Sequence, residues 1–334
     1  MLTMRMQAPL HVVLVGPMAK LGRDLVAAHL ECPCRITVLE DAATGAEALE
    51  DADVIVGWPL APELVRRARK VRLVQAAGAG VDGLAPEDVP AGATVANTYH
   101  HEVSIAEHVL LAMLWFTRKP ADYDERLRRG SWWDSCIWGG WPNLEVLCGK
   151  TAMLIGTGHI AREVARRCRA FRVTTLAVSR RPEAAPTEFD RTLGYGRWLE
   201  ELAHADFLVP CCPLTPETEG LISAAVFARM KPTAVLIHIA RGRIVDERAL
   251  YEALREHRIA GAAIDVWYRY PREPSQACPP SSYPFEKLKN VLMTPHVSGW
   301  TRMTVEGRMR DIAENINRLA RNEPFINVVL PPRR

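Results

Sequence analysis

No apolar run in this 334-residue chain reaches the roughly 20 residues that a bilayer-spanning helix needs, and residues 1–10 lack the uninterrupted apolar segment of a secretory signal. A membrane role and export are therefore not expected, and the cytoplasm is the expected location. A block of like charge is missing too. Lys and Arg number 42 against 39 Asp and Glu, and the resulting +3 is too small and too dispersed to call for a nucleic-acid partner. The eight cysteines lack the paired spacings of a zinc site. Cys32 and Cys34, a C-x-C, and the neighbours Cys211 and Cys212 are read as reduced thiols packed as small hydrophobes, with no metal expected. There is no internal repeat and no low-complexity segment. What is present, 48% hydrophobic and 24% charged residues, is the make-up of an ordinary globular protein, and the length exceeds what one core organises, so two domains are expected.

Short apolar runs alternate with helix-compatible stretches along the whole chain. His11–Gly16, Arg35–Leu39, Asp53–Trp58, Leu73–Ala77 and Thr94–Ala96 read as strands of a first α/β series. Ile105, Val109, Ala112, Met113 and Phe116 then recur at helical spacing between Ser104 and Lys119, a segment long enough to join two domains. A second series follows with Thr151–Ile155, Val173–Val178, Phe207–Val209, Ala234–Ile239, Ala260–Val266 and Val291–Thr294. Strand-helix alternation of this kind predicts α/β architecture with parallel sheets. Between the two series, 129–141 is dense in tryptophan and glycine and reads as an ordered loop packed on something large.

The second series opens with Gly156-Thr157-Gly158-His159-Ile160-Ala161, a G-x-G-x-x-A between a strand and the helix predicted over Ile160–Ala170. Glycines there let the chain turn tightly and bring backbone amides to a pyrophosphate at the helix N-terminus. The strand before and helix after supply the context that the motif requires. An unliganded tight turn is the plainer alternative. At the end of the next strand, 18 residues past Ala161, an NAD site places an acid on the ribose hydroxyls, whereas this chain has Ser179, Arg180 and Arg181. Two arginines and a hydroxyl suit a 2′-phosphate, so NADP is expected ahead of NAD. Solvated arginines at a site that accepts either cofactor remain an alternative.

The run Ala234–Ala240 ends in Arg241-Gly242 before the helical pattern that follows Asp246. A buried parallel strand that delivers a guanidinium at its carboxyl end offers a planar fork of donors matched to a carboxylate, which points to a small anionic substrate. A surface ion pair would use the same residue.

Taken in order, Gln75-Ala76-Ala77-Gly78-Ala79-Gly80-Val81-Asp82, Ser104-Ile105-Ala106-Glu107-His108, the glycine motif, Pro213-Leu214-Thr215-Pro216-Glu217-Thr218, Ala240-Arg241-Gly242, Ala263-Ile264-Asp265-Val266 and Thr294-Pro295-His296 resemble the D-isomer-specific 2-hydroxyacid dehydrogenases. Formate, phosphite and phosphoglycerate dehydrogenases belong to that family. The resemblance spans about residues 70–300. It implies two Rossmann-like domains: a central doubly wound, parallel-sheet cofactor domain over 103–298, inserted in a flavodoxin-like substrate domain formed by 1–102 and 299–334. It also implies a homodimer joined through the central domains, and it places the tryptophan segment with Trp132, Trp133, Trp138 and Trp141 near the dimer contact. Carried over residue by residue, Arg241 matches the substrate clamp and His296 the acid/base. Ala79 and Gly80 match the loop whose amides hold the substrate carboxylate. Gly156, Gly158, His159, Ile160, Pro213, Thr218, Ile239, Asp265, His296 and Gly299 match cofactor contacts.

The chain departs from the family pattern where a glutamate pairs with the histidine: five residues after Asp265 stands Tyr270, followed by Pro271. Glu273-Pro274 would restore an acid only if the loop carried an insertion, so Tyr270 is taken as the third catalytic residue. His238 replaces a usual asparagine, and His101 stands where formate dehydrogenases bind substrate through an asparagine. Three activities fit these residues. The first is NAD(P)-dependent hydride transfer between a small 2-hydroxyacid and its 2-oxoacid. The second is oxidation of a small anion such as formate or a phosphonate, which dispenses with the base. The third is a non-catalytic dinucleotide sensor of the corepressor type, for whose partner-binding extension a chain ending at Arg334 has little room.

Overall fold

The computed structural model describes residues 8–16, 19–40, 46–57, 60–81, 83–132, 135–137, 143–271, 273 and 275–333. Trp58, Asp82, Trp133, Trp138, Trp141, Pro274 and Arg334, named above, lie outside the described residues. The chain divides into two compact units, Met1–His100 with Arg302–Arg334, and His101–Thr301.

The first unit is built on strands β1 (Leu10–Val15), β2 (Cys34–Leu39), β3 (Val54–Gly57), β4 (Leu73–Ala76) and β5 (Thr94–Ala96), with helices α1 (Ala19–Ala27) and α2 (Pro62–Arg67) between them. The chain returns to this unit at its end as the last helix, Arg302–Arg321, and last strand, Val328–Leu330. Successive residues of a strand point to opposite faces. Val13 and Val15 thus enter a core with Ile55, Val74 and Leu64, while Val12 and Leu14 enter another with Val56, Ile312 and Ile316. Because both faces are covered, the strands read as unbroken apolar runs rather than as alternation. The order is β2-β1-β3-β4-β5, all parallel, as in flavodoxin-like sheets. The last strand adds antiparallel to β5.

The second unit begins with α3 (Glu102–Arg118) and α4 (Pro120–Arg128). Lys119 between them takes a left-handed conformation at φ 47, which with Pro120 ends one helix and starts the next. Strands β6 (Thr151–Ile155), β7 (Thr174–Ser179), β8 (Arg191–Gly194), β9 (Phe207–Pro210), β10 (Val235–His238), β11 (Gly261–Ile264) and β12 (Val291–Met293) follow, with α5 (His159–Ala170), α6 (Trp198–Glu201), α7 (Ala224–Phe227) and α8 (Glu247–Arg255) between them. The two terminal elements of the first unit are accordingly α9 and β13. The parallel sheet of the second unit runs β8-β7-β6-β9-β10-β11-β12. Relabelled from its first strand, this is the 3-2-1-4-5-6 order of a doubly wound nucleotide-binding sheet with one strand added. Its direction reverses between β6 and β9, and ligands of such sheets bind at the carboxyl ends of those strands. Ala152 and Leu154 face a core with Ala112, Met113 and Val164, so α3 and α5 cover one face. Met153 and Ile155 face Leu250, Leu254 and Phe227 on the other.

Among the described residues, no helix is long and apolar enough to cross a membrane.

Candidate active site

At the reversal point the chain leaves β6 through Gly156, held at φ +118, where a side chain is strained. A Cβ there would also lie 3.0 Å from the carbonyl oxygen of Cys211, at the exit of β9. Gly158 caps α5 at its N-terminus, and a Cβ placed on it would meet nothing within 4 Å. A tight turn, bare backbone and a helix N-terminus are what a pyrophosphate requires. The residues present fit a dinucleotide. His159, exposed, opens α5, and Ile160 follows it half-buried.

The adenosine end of such a ligand would meet the segment after β7. Ser179 Oγ accepts from the amide of Arg181 at 3.1 Å, which leaves its hydroxyl hydrogen to donate. Arg180 lies within electrostatic reach of Tyr195 and Glu217. Glu217 belongs to the turn of which Thr218 is the knot: its Oγ1 donates to the Pro213 carbonyl at 2.7 Å and accepts from Thr215 N at 2.8 Å.

Around β10 and β11 the geometry is tighter. Ile239 is buried at the exit of β10, followed by Arg241, whose Nη1 donates to the Ala240 carbonyl at 2.8 Å. Gly242 must be glycine, since a Cβ there would come within 2.2 Å of the Trp267 carbonyl oxygen. Trp267 also donates its indole Nε1–H to the Thr294 carbonyl at 2.9 Å and its backbone N–H to the Tyr270 hydroxyl at 3.0 Å. One residue thus joins the Arg241-Gly242 turn, the tyrosine and the segment leading to His296.

The Tyr270 hydroxyl lies 3.1 Å from His296 Nδ1. Partial burial raises the phenol pKa, the Trp267 amide and the Arg241 charge oppose this, and Asp265 adds to it. The net rise keeps the hydroxyl protonated near neutrality. His296 itself has φ 58, a left-handed conformation uncommon for histidine, and such strain persists only where surroundings impose it. Asp265 imposes it. One carboxylate oxygen accepts from Thr294 Oγ1 at 2.6 Å and Val297 N at 2.9 Å, and the other from Ser298 N at 2.9 Å. Burial alone would raise the Asp265 pKa, but the hydrogen bonds from Ser298 and Thr294 outweigh it and hold the group below the usual carboxylate range. His101, at the N-cap of α3, packs its Cβ at 3.2 Å from where a Gly299 Cβ would be.

In the first unit, Ala79 and Gly80 lie in the loop after β4. The Gly78 carbonyl accepts from Thr98 N at 3.3 Å and the Ala79 carbonyl from Asn97 Nδ2 at 2.8 Å. In a planar trans peptide the N–H points opposite to the C=O. Anchoring those two carbonyls toward the exit of β5 therefore turns the amides of Ala79 and Gly80 away from it.

The structure thus brings Arg241, Tyr270, Asp265 and His296 into one cluster within the second unit and sets Gly156, Gly158 and Pro213–Thr218 at the sheet's reversal point. Sequence reasoning missed Trp267 and Asn97. The one signal for Trp267 was its place two residues past Asp265; a buried asparagine two residues before a Tyr-His pair carried none.

A doubly wound sheet with a glycine cradle and a histidine-arginine cluster at its strand ends defines a dinucleotide-binding oxidoreductase fold. Residues 110–298 match the family model described as "D-isomer specific 2-hydroxyacid dehydrogenase, NAD binding domain". The chain belongs to the D-isomer-specific 2-hydroxyacid dehydrogenase family. It is 35% identical over 279 residues to a D-3-phosphoglycerate dehydrogenase of Archaeoglobus fulgidus, which covers 81% of this chain and 49% of that protein. It is also 31% identical to a glyoxylate reductase of Korarchaeum cryptofilum, over 85% of this chain and 84% of that one. The chain spans about half the length of the phosphoglycerate dehydrogenases it matches. Among solved structures, a D-isomer specific 2-hydroxyacid dehydrogenase of Xanthobacter autotrophicus in complex with NADPH superposes with a TM-score of 0.77 at 26% identity, covering 96% of this chain and 98% of that one.

Proposed function

We propose that the protein is an NADP-dependent oxidoreductase that interconverts a small 2-oxoacid and its 2-hydroxyacid, with proton transfer through His296. The observation that carries this reading is the hydrogen bond between Tyr270 and His296 Nδ1. The phenol oxygen already accepts from Trp267 N–H, so its own proton is available to a neutral Nδ1. When the imidazole is charged, the same oxygen accepts from Nδ1–H. A neutral partner thus accompanies the histidine through both protonation states and leaves Nε2 to exchange the substrate proton. A dinucleotide held at the Gly156–Gly158 turn would supply or take the hydride. Arg241 offers the substrate carboxylate a bidentate fork. Oxidation of formate or a phosphonate would need no such proton relay, and a dinucleotide sensor would need neither His296 nor its partner.

Turnover is tested by assaying 2-oxoacids, 2-hydroxyacids and formate with both nicotinamide cofactors, each reduced or oxidised. Oxoacid reduction with NADPH favoured over NADH is expected. Ser179→Asp should shift that preference toward NADH, because a carboxylate repels the 2′-phosphate and accepts from ribose hydroxyls. An unchanged ratio of kcat/KM values would remove Ser179 from the adenosine site.

Tyr270→Glu tests the proton step. A carboxylate beside the imidazolium stabilises it and raises its pKa by about one unit or more. Reduction consumes that proton, so the alkaline limb of kcat/KM should move to higher pH by a similar amount. Formate oxidation should gain nothing. Superimposable pH profiles for variant and wild type would refute the relay.

We further propose a cytoplasmic homodimer. The location follows from reading the cysteines as reduced thiols packed as small hydrophobes. Helix α4 buries none of its residues, and Leu127, Trp132 and Ile137 after and within it are exposed, an apolar surface suited to a second copy. Sedimentation at micromolar concentration should give twice the chain mass; a monomer would contradict this.

A further inference from the structure

The Cys32-Pro33-Cys34 segment takes no part in the function proposed above. Cys34 is the first residue of β2, the outer strand of its sheet, and Cys32 lies just before it. Side chains at i and i+2 of an extended segment project to the same face. The two sulfurs lie 3.5 Å apart, and Cys32 Sγ is also 3.6 Å from Asn317 Oδ1 on α9. Both cysteines are half-buried, whereas Glu31, Pro33 and Arg35 around them are exposed, so a small solute reaches the pair. The backbone between them is held by the fixed φ of Pro33 and by its carbonyl, which accepts from Leu10 N at 3.0 Å. In such a pair the sulfur that ionises first is stabilised by the S–H of the other. Burial, then the hydrogen bond with Cys32, push the Cys34 thiol up to about 12, so Cys34 is assigned the second, resolving step.

We propose that Cys32 and Cys34 form a dithiol modification site that a hydroperoxide closes into an intramolecular disulfide. The Cys32 thiolate attacks the peroxide oxygen, an S–O bond forms as the O–O bond breaks, and the leaving hydroxide takes up a proton as water. The Cys34 sulfur then attacks the sulfenic acid, the S–S bond forms and the S–O bond breaks. The departing hydroxide carries off the Cys34 proton as a second water. Two sulfurs lose two electrons and one hydrogen peroxide is reduced to two waters. The sulfurs close from 3.5 Å to a bond of roughly 2.05 Å, a small movement for an outer strand paired on one side only. Cys168 and Cys212 do not compete, because burial shields them and pushes their thiols up to about 12 and about 11. The ring closes across a single residue, so it reopens with added dithiol.

The test is made on the full chain. After brief exposure to hydrogen peroxide, free thiols are blocked with N-ethylmaleimide and the peptide containing residues 32–34 is weighed. The proposal expects that peptide to lose two hydrogens, to escape alkylation and to regain both alkylations after dithiothreitol. Cys32→Ser and Cys34→Ser should each abolish the product, and Cys168→Ser should not. Wild-type protein in which Cys32 proceeds to the sulfinic acid while Cys34 is still alkylated would overturn the proposal. So would double alkylation after peroxide treatment that oxidises methionines elsewhere in the chain. None of these readouts depends on turnover.

Discussion

Replacing Arg241 with alanine should lower kcat/KM for an anionic substrate by roughly 10²-fold or more. The guanidinium is a charged donor to a partly desolvated carboxylate, and removing it costs about 1.5–3 kcal/mol for the hydrogen bonds plus the penalty of an unpaired anion. One decade in rate corresponds to about 1.4 kcal/mol, so two decades is the lower end. Arg241→Lys should fall between the two, because the charge remains while the planar fork is lost. The glycine turn at Gly156 and Gly158 is separate in sequence and chemistry from Arg241, so dinucleotide affinity should hardly change. Steady-state kinetics beside a fluorescence titration of NADPH decides the matter. Normal cofactor binding with near wild-type turnover would rule out Arg241 as the clamp.

A second large effect is expected in stability rather than rate. His238 is fully buried at the end of β10, its Nε2 3.3 Å from the Gly242 carbonyl oxygen, while Nδ1 has no hydrogen-bond partner. Burial drives its pKa down to about 4, against the smaller opposing pull of the Gly242 and Arg241 backbone and of Asp265. In the unfolded chain a histidine titrates near 6.5. Above that pH both states are neutral and the residue adds no pH dependence. As pH falls toward 4 the unfolded state takes up the proton and the folded state does not, so stability declines across that window, by roughly 3 kcal/mol at most. His108, whose pKa is also lowered by burial, acts in the same direction. His238→Asn keeps an amide donor for the Gly242 carbonyl and removes the titration. Urea denaturation at pH 7 and pH 4.5 should show the variant losing roughly 2 kcal/mol less than wild type between the two conditions. Parallel losses would mean that His238 is already protonated or not buried in solution.

Several parts of this protein are legible in the chain itself. Runs such as 54–57 and 235–237 announce themselves because parallel strands covered on both faces are apolar almost throughout. The G-x-G-x-x-A is legible because tight turning and bare backbone leave glycine as the residue that fits. β8, Arg-Thr-Leu-Gly, and β13, Val-Val-Leu, went unread: each is a short edge strand, and its pairing depends on a neighbour distant in sequence.

The side-chain encounters lay beyond pattern. Tyr270 and Glu273 stood three residues apart as candidates to face His296, and no periodicity separates them. Tyr270 meets it because its hydroxyl is returned to Trp267 N while the Trp267 indole grips Thr294, 27 residues further on. Asp265 reaches 29 to 33 residues ahead to pin the histidine's segment, Asn97 reaches back 18 to turn the amides of Ala79 and Gly80, and Cys32 and Cys34 come to 3.5 Å where β2 begins. Local sequence sets backbone preference and the demand for burial, and those alone specify strands, helices and glycine turns. Which polar atoms then meet is set by how loops at the strand ends pack on one another, and that is decided only when the whole sheet has closed.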